Sequence, residues 1–222
     1  MDYYKPVEYS FLQRISGVIL GNKEVVQDLK ENGTLSDAAV AFGLSALGIT
    51  LIFILSLYIK FTKLQSLDLT NFFAEYDFST ELQEIIVEAS TPSNFITFLG
   101  GYIWLVIAII VCLAAVWILS SLILHLFAVG LKGQASVTDI LVFNAFLLPL
   151  SIIFGLVLLL PAAASSSTIG PLIIVALMLM IALITIYLRA LIRGLTSLYN
   201  LPALAVFIII LLKIALRGQI LL

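Results

Sequence analysis

Charge is scarce in this sequence. Its 222 residues include 11 Lys and Arg and 13 Asp and Glu, so that 11% of the chain is charged while 62% is hydrophobic. Soluble domains carry about 25% charged residues, so a chain this apolar indicates lipid as its solvent. The net charge of −2 argues against a nucleic-acid partner. The apolar runs are continuous rather than alternating, and they predict an all-α, polytopic membrane protein.

Metal-binding and catalytic residue types are almost missing as well. There is one cysteine, Cys112, and one histidine, His125, which excludes an intramolecular disulfide and a Cys or His metal cluster. The sequence contains no phosphate-binding glycine loop, no nucleophile elbow and no calcium loop. We therefore expect no cofactor, no metal ion and no catalytic residue, which argues against an enzyme.

The apolar runs predict a bundle of five transmembrane helices. Residues 1–37 form a polar segment, in which apolar residues from Phe11 to Ile19 recur at helical spacing. This pattern predicts an amphipathic helix in the headgroup region. Residues 38–222 form the membrane domain, and the acidic connection 61–97 is expected to be a solvated external loop. The predicted spans are about 38–59, 98–127, 137–160, 172–189 and 202–217.

The distribution of Lys and Arg predicts the orientation. Seven lie on the N-terminal side of the predicted spans: Lys5, Arg14, Lys23, Lys30, Lys132, Arg189 and Arg193. Four lie on the other side: Lys60, Lys63, Lys213 and Arg217. Because positive charge concentrates on the cytoplasmic side, we expect a cytoplasmic N-terminus, in the cell membrane if the chain is prokaryotic.

The first span carries small residues four positions apart. Ala39 and Gly43 form one pair, and Ala41 and Ser45 form another. Small side chains at this spacing let two helices approach closely in lipid. We expect these pairs to pack against neighbouring helices.

Four residues at the N-terminal side could contact a lipid headgroup or a partner. Arg189 and Arg193 lie on one face of a helix end, with Lys132 on the same side, and could hold an anionic headgroup or an acidic partner. The alternative is anchoring by snorkelling. His125 is expected at the interface, bonded to a carbonyl or a headgroup; a proton relay is the alternative.

Polar residues and a proline in the third span suggest a cavity. Pro149 follows Asn144 by five residues and kinks the helix. Exposed carbonyls beside Asn144 could line a cavity together with Asp139, or Asn144 could make an interhelical hydrogen bond at a packing kink. An ion pair of Asp139 with Arg189 or Arg193 is a further hypothesis.

Three stretches resemble the Yip-domain family of Ypt/Rab GTPase-interacting membrane proteins. They are SFLQRISGVILGNKEV, HLFAVGLKGQASVTDILVFNAFLLPLSIIFGLVLLLP and YLRALIRGLTSLYNLPALAVFIIILL. The short polar N-terminal region resembles prokaryotic members. The resemblance implies association with other membrane proteins or with itself, a small GTPase as partner, and no catalytic residue to carry over.

Two functions follow from these patterns. The first is a non-catalytic membrane adaptor of the Yip type, acting in membrane trafficking or organisation or as an accessory subunit of a membrane complex. The alternative is a small transporter, channel or lipid-handling protein that uses a cavity at the kinked third span. The lipid bilayer is a partner in both cases.

The predicted topology can be tested at Ser79, in the acidic loop. A cysteine at this position should react with a membrane-impermeant thiol reagent in intact cells, because the loop is expected to face outside. Labelling that occurs only after lysis would reverse the predicted orientation.

Overall fold

A computed structural model describes residues 9–65, 103–164 and 168–220. Within these ranges the chain forms eight α-helices and no strand. Their bounds are α1 (Phe11–Leu20), α2 (Lys23–Asn32), α3 (Leu35–Gln65), α4 (Ile103–Gly130), α5 (Val137–Leu147), α6 (Pro149–Ala163), α7 (Ile169–Tyr199) and α8 (Ala203–Ile220). Most of the acidic loop, the start of the predicted second span, and Ser79 lie outside the described residues.

Four helical segments of the described chain are long and apolar enough to cross a membrane. They are Leu35–Ile59, Val106–Gly130, Val137–Ala163 and Ile169–Tyr199. These segments fit an integral membrane protein. The predicted count of five is not confirmed among the described residues, because the apolar part of α8, Ala203–Ala215, is shorter than the other four segments.

One end of the bundle collects α1, α2 and two interhelical turns. The backbone N–H of Gln134, between α4 and α5, donates to the carbonyl of Tyr199 at the end of α7 (3.2 Å). The ammonium of Lys30 on α2 donates to the carbonyl of Leu198 (3.2 Å). We call this end, at which α3, α5 and α8 begin and α4 and α7 finish, the N-terminal end.

The short helix α5 is the centre of the packing. It contacts α1, α2, α3, α4, α6 and α7. Ile140, Phe143, Ala145 and Phe146 on this helix are completely buried. The ring of Phe146 also contacts that of Phe11 on α1, with centroids 5.3 Å apart.

The N-terminal segment is part of this core. Val18 on α1 and Val25, Val26 and Leu29 on α2 are buried in the same cluster as the α5 side chains. Ser10 and Gln13 form a capping box that starts α1. The two helices therefore pack against the bundle through one face, in addition to any contact with lipid headgroups.

A partly buried ion pair ties the segment to the first span. Arg14 Nε lies 2.8 Å from Asp28 Oδ2, and Arg14 Nη1 lies 3.4 Å from Asp37 Oδ2 at the start of α3. Asn32 Nδ2 donates to the second oxygen of Asp28 (2.8 Å). Asp28 is only 7% exposed, so loss of Arg14 would leave a buried carboxylate without its counter-charge, at a cost of about 3–5 kcal/mol.

The ring of Phe143 on α5 packs directly against Gly194 on α7. A Cβ atom added at Gly194 would overlap the ring of Phe143. Since Phe143 is 0% exposed and lies in the middle of the core, the ring has no space to move into. A glycine is needed here for packing rather than for backbone conformation.

Replacing Gly194 by alanine should therefore destabilise the fold. We expect Gly194→Ala to lower the free energy of unfolding by about 1–3 kcal/mol, because it overpacks the core. Reversible unfolding in mixed detergent–SDS micelles would measure this.

Gly43→Ala is the matched control. No atom lies within 4 Å of a Cβ at Gly43, so this variant should be unchanged or more stable by up to about 1 kcal/mol, since alanine favours helix. Equal destabilisation by both variants would contradict the close approach at Gly194.

Candidate functional site

The predicted third span is broken into two helices beside Asn144. Proline lacks a backbone N–H, and Pro149 begins α6 directly after the turn residue Leu148. The N–H of Leu148 is shared between the carbonyls of Asn144 (3.2 Å) and Ala145 (3.3 Å). The break loosens the backbone hydrogen bonding at this level of the bundle.

A pocket of about 370 Å³ lies beside this break. Residues from α3, α4, α5, α6, α7 and α8 line it, so six helices converge there. Its walls combine apolar and polar side chains: Ile49, Leu113, Val116, Trp117, Ser120, Asn144, Leu147, Leu148, Ser151, Tyr187 and Lys213. The volume lies within the range of small-molecule sites, about 300–1,000 Å³.

Asn144 is anchored at the pocket wall by a short hydrogen-bond chain. Its Nδ2 donates to Ser121 Oγ (2.8 Å), and the Ser121 hydroxyl donates to the carbonyl of Trp117 (2.8 Å). Trp117 Nε1 donates back to the carbonyl of Leu141 (3.2 Å). This chain of hydrogen bonds fixes the side chain of Asn144 between α5 and α4 at the wall of the pocket.

Lys213 gives the pocket a cation inside the bundle. It lies ten residues after the start of α8 at Ala203, which is about 15 Å along a helix that begins at the N-terminal end. From the sequence, Lys213 is predicted at the far membrane surface; in the structure it is half-buried and lines this pocket. An ionisable residue within a membrane domain is a functional-site hypothesis by default.

Asp139 lies apart from the pocket. It closes a capping box at the start of α5: its carboxylate accepts from the N–H of Ser136 (2.8 Å), and its N–H donates to Ser136 Oγ (3.1 Å). Asn144 is among the residues that line the pocket, whereas Asp139 is not among those described there. In the described part of the chain, neither Arg189 nor Arg193 forms an ion pair with Asp139.

The residues expected to meet headgroups have different surroundings. His125 Nδ1 lies 2.9 Å from the hydroxyl of Tyr199, so its partner is a buried side chain of α7. Lys132 and Arg189 are exposed, and Lys132 has the left-handed φ of 65°. Arg193 is exposed at its end while its Cδ would lie 3.0 Å from a Cβ at Gly21.

The small pairs of the first span point in different directions. Ala41 and Ser45 are buried, and the hydroxyl of Ser45 donates to the carbonyl of Ala41 (2.7 Å). Ala39 is exposed, and Gly43 has open space around it. One pair therefore packs inside the bundle, and the other faces outward.

Comparison with known proteins does not assign this chain. No family model, no curated protein and no solved structure matches it. The Yip-domain resemblance stays a prediction from the sequence.

The hydrogen bond between Asn144 and Ser121 can be tested by a double-mutant cycle. We expect Asn144→Ala and Ser121→Ala to show a coupling of about 0.5–1.5 kcal/mol in the free energy of unfolding, as interhelical hydrogen bonds in membranes do. Thr185→Ala is the control, because the Thr185 hydroxyl bonds to Ile181 of its own helix (2.9 Å). Additive effects of Asn144→Ala and Ser121→Ala would exclude the bond.

Proposed function

We propose that this protein binds an anionic, acyl-chain amphiphile in the pocket beside the α5–α6 break, as a small transporter or lipid-handling protein. The observation that carries the proposal is the position of Lys213, halfway along α8, in a pocket that also contains Asn144. This is the second of the two functions that the sequence suggests, and the pocket geometry favours it over the adaptor.

The chemistry of the pocket favours an anion. An ammonium in an apolar environment is stabilised by a negative charge or by hydrogen-bond acceptors. Ser120, Ser151 and Tyr187 add hydroxyl groups to the same lining. Together they suit a carboxylate that accepts several hydrogen bonds, because hydrogen bonds to charged groups are stronger than neutral ones.

The apolar part of the lining favours an acyl chain. Ile49, Leu113 and Leu147 face the same space as the polar groups. Val116, also in the lining, is 49% exposed on the outside of the bundle. A ligand could thus enter sideways from the bilayer, with its polar group beside Lys213 and its chain along α4.

The proposal includes a topology. With 18 residues, α8 has a length of about 27 Å, close to the thickness of the apolar core, and we include it as a fifth crossing. The N-terminus is cytoplasmic in this proposal, α1 lies at the headgroups, and residues 61–97 are external.

The membrane adaptor is the second candidate function, supported by the outward face of α3. Ala39 and Gly43 leave this face open, with no atom within 4 Å of a Cβ at Gly43. A helix of a second copy or of another membrane protein could pack closely there. Trafficking and a small GTPase partner rest on the Yip-domain resemblance alone.

The test of ligand binding compares two competitors, oleate and oleyl alcohol, which have the same acyl chain and different polar groups. In proteoliposomes, a diazirine-bearing fatty acid should label the peptides around Leu113 and Leu147, and oleate should compete about tenfold better than oleyl alcohol. Lys213→Gln should abolish this preference, because the alcohol carries no charge for Lys213 to bind. Lys213→Arg should retain it.

Lys132→Gln is the matched control, since it removes the same charge from an exposed turn. If oleate and oleyl alcohol compete equally in the unmodified protein, or if Lys213→Gln keeps the preference, the anion site is excluded. An oligomer that dissociates on Gly43→Leu, in a protein that shows no preference for oleate, would favour the adaptor instead.

A further inference from the structure

A second pocket lies at the N-terminal end, outside the site just described. Its volume is about 460 Å³, and it is lined by Gly21, Asn22, Lys23, Ile192, Arg193, Thr196 and Ala203. These residues come from the α1–α2 corner, the last turns of α7 and the start of α8. We call it the corner pocket.

The corner pocket has an excess of positive charge. Lys23 and Arg193 line it, and none of the described lining residues is acidic. Among the described residues, neither has an ion-pair or hydrogen-bond partner, whereas Arg14 and Lys30 of the same segment do. Two unpaired cations that share one concave site attract an anion.

The backbone around the corner pocket adds to its positive electrostatic potential. α2 begins at Lys23 and α8 begins at Ala203, and the first N–H groups of a helix lack partners within the helix. Helix N-termini favour anions, phosphate in particular. Thr196 also lines the pocket, and its hydroxyl is buried without a partner in the described part of the chain.

The aliphatic part of the Arg193 side chain packs against Gly21 at the α1–α2 corner. Gly21 has the left-handed φ of 68°, and a Cβ there would lie 3.0 Å from Cδ and 3.2 Å from Cβ of Arg193. The arginine stem therefore packs flat on the α1–α2 corner. Such packing restricts the side chain to few rotamers, so less entropy is lost when its guanidinium binds an oxyanion.

Two exposed leucines are sequence neighbours of residues that line the corner pocket. Leu20, one residue before Gly21, is 68% exposed, and Leu204, one residue after Ala203, is 72% exposed. Exposed leucines beside a cationic pocket, at the end of transmembrane helices, suit a molecule with a charged head and acyl chains.

We propose that the corner pocket binds the phosphate of an anionic phospholipid through Arg193 and Lys23, with the acyl chains of the lipid along Leu20 and Leu204. The site is independent of the Lys213 pocket, because the two share no lining residue. The lipid would fix the α1–α2 corner to the membrane surface and to α7.

Lipid titration of the full-length, detergent-solubilised protein by native mass spectrometry tests this site. Dioctanoyl phosphatidic acid should bind about tenfold more tightly than dioctanoyl phosphatidylcholine, whose ammonium group opposes the two cations. Arg193→Gln and Lys23→Gln should each reduce phosphatidic acid binding by about tenfold. Arg193→Lys, which keeps the charge and most of the stem, should retain most of it.

The controls separate this site from general attraction to a positive surface. Arg189→Gln and Lys132→Gln remove the same charge at the same end and should leave binding unchanged. Equal losses in these variants, or equal binding of the two lipids, would overturn the proposal. Inorganic phosphate that displaces phosphatidic acid at the same concentration as the lipid itself would indicate a site for a free anion and would also overturn it.

Discussion

The contact of Phe143 with Gly194 is the constraint on which the rest of the packing depends. It brings α5, a helix of only 11 residues that contacts six others, directly against α7. Without a side chain at Gly194, the ring of Phe143 occupies the space between the helices. In lipid the helices gain little from burying apolar surface, so close packing of this kind carries much of their association.

The same contact positions the N-terminal segment and, through α5, the polar pocket. Phe146 lies one turn after Phe143, and its ring contacts the ring of Phe11 on α1. Asn144, on another side of the same helix, faces Ser121 of α4. One short helix therefore connects the core at the N-terminal end with the pocket deeper in the bundle, and a change in its packing would affect both.

Hydropathy predicted the helical class and four of the membrane-crossing segments, because long apolar runs follow from the solvent alone. Hydropathy did not predict that Val18, Val25 and Leu29 are buried in the core. The apolar face of a helix has the same sequence pattern whether it packs on protein or on lipid. Asn144 and Pro149 were noticeable because a polar residue and a proline are rare within a span. Ser121, Trp117 and Lys213 lie near Asn144 and Pro149 only because of tertiary contacts, which the sequence does not reveal. Lys213 alone left a signal in the sequence: it follows Pro202 by only eleven residues, too few for a full crossing.

The cations of this chain divide according to what neutralises them. Arg14 is paired with Asp28 and Asp37, and Lys30 binds a carbonyl at the C-terminal end of α7, where the helix dipole favours a cation. These two hold the N-terminal segment on the bundle. Lys23 and Arg193 lie close to the same elements, yet their pocket has no carboxylate among its described lining residues. Lys23 and Arg193 are exposed to solvent and line one pocket, and this shared position is the reason for proposing an anionic ligand there.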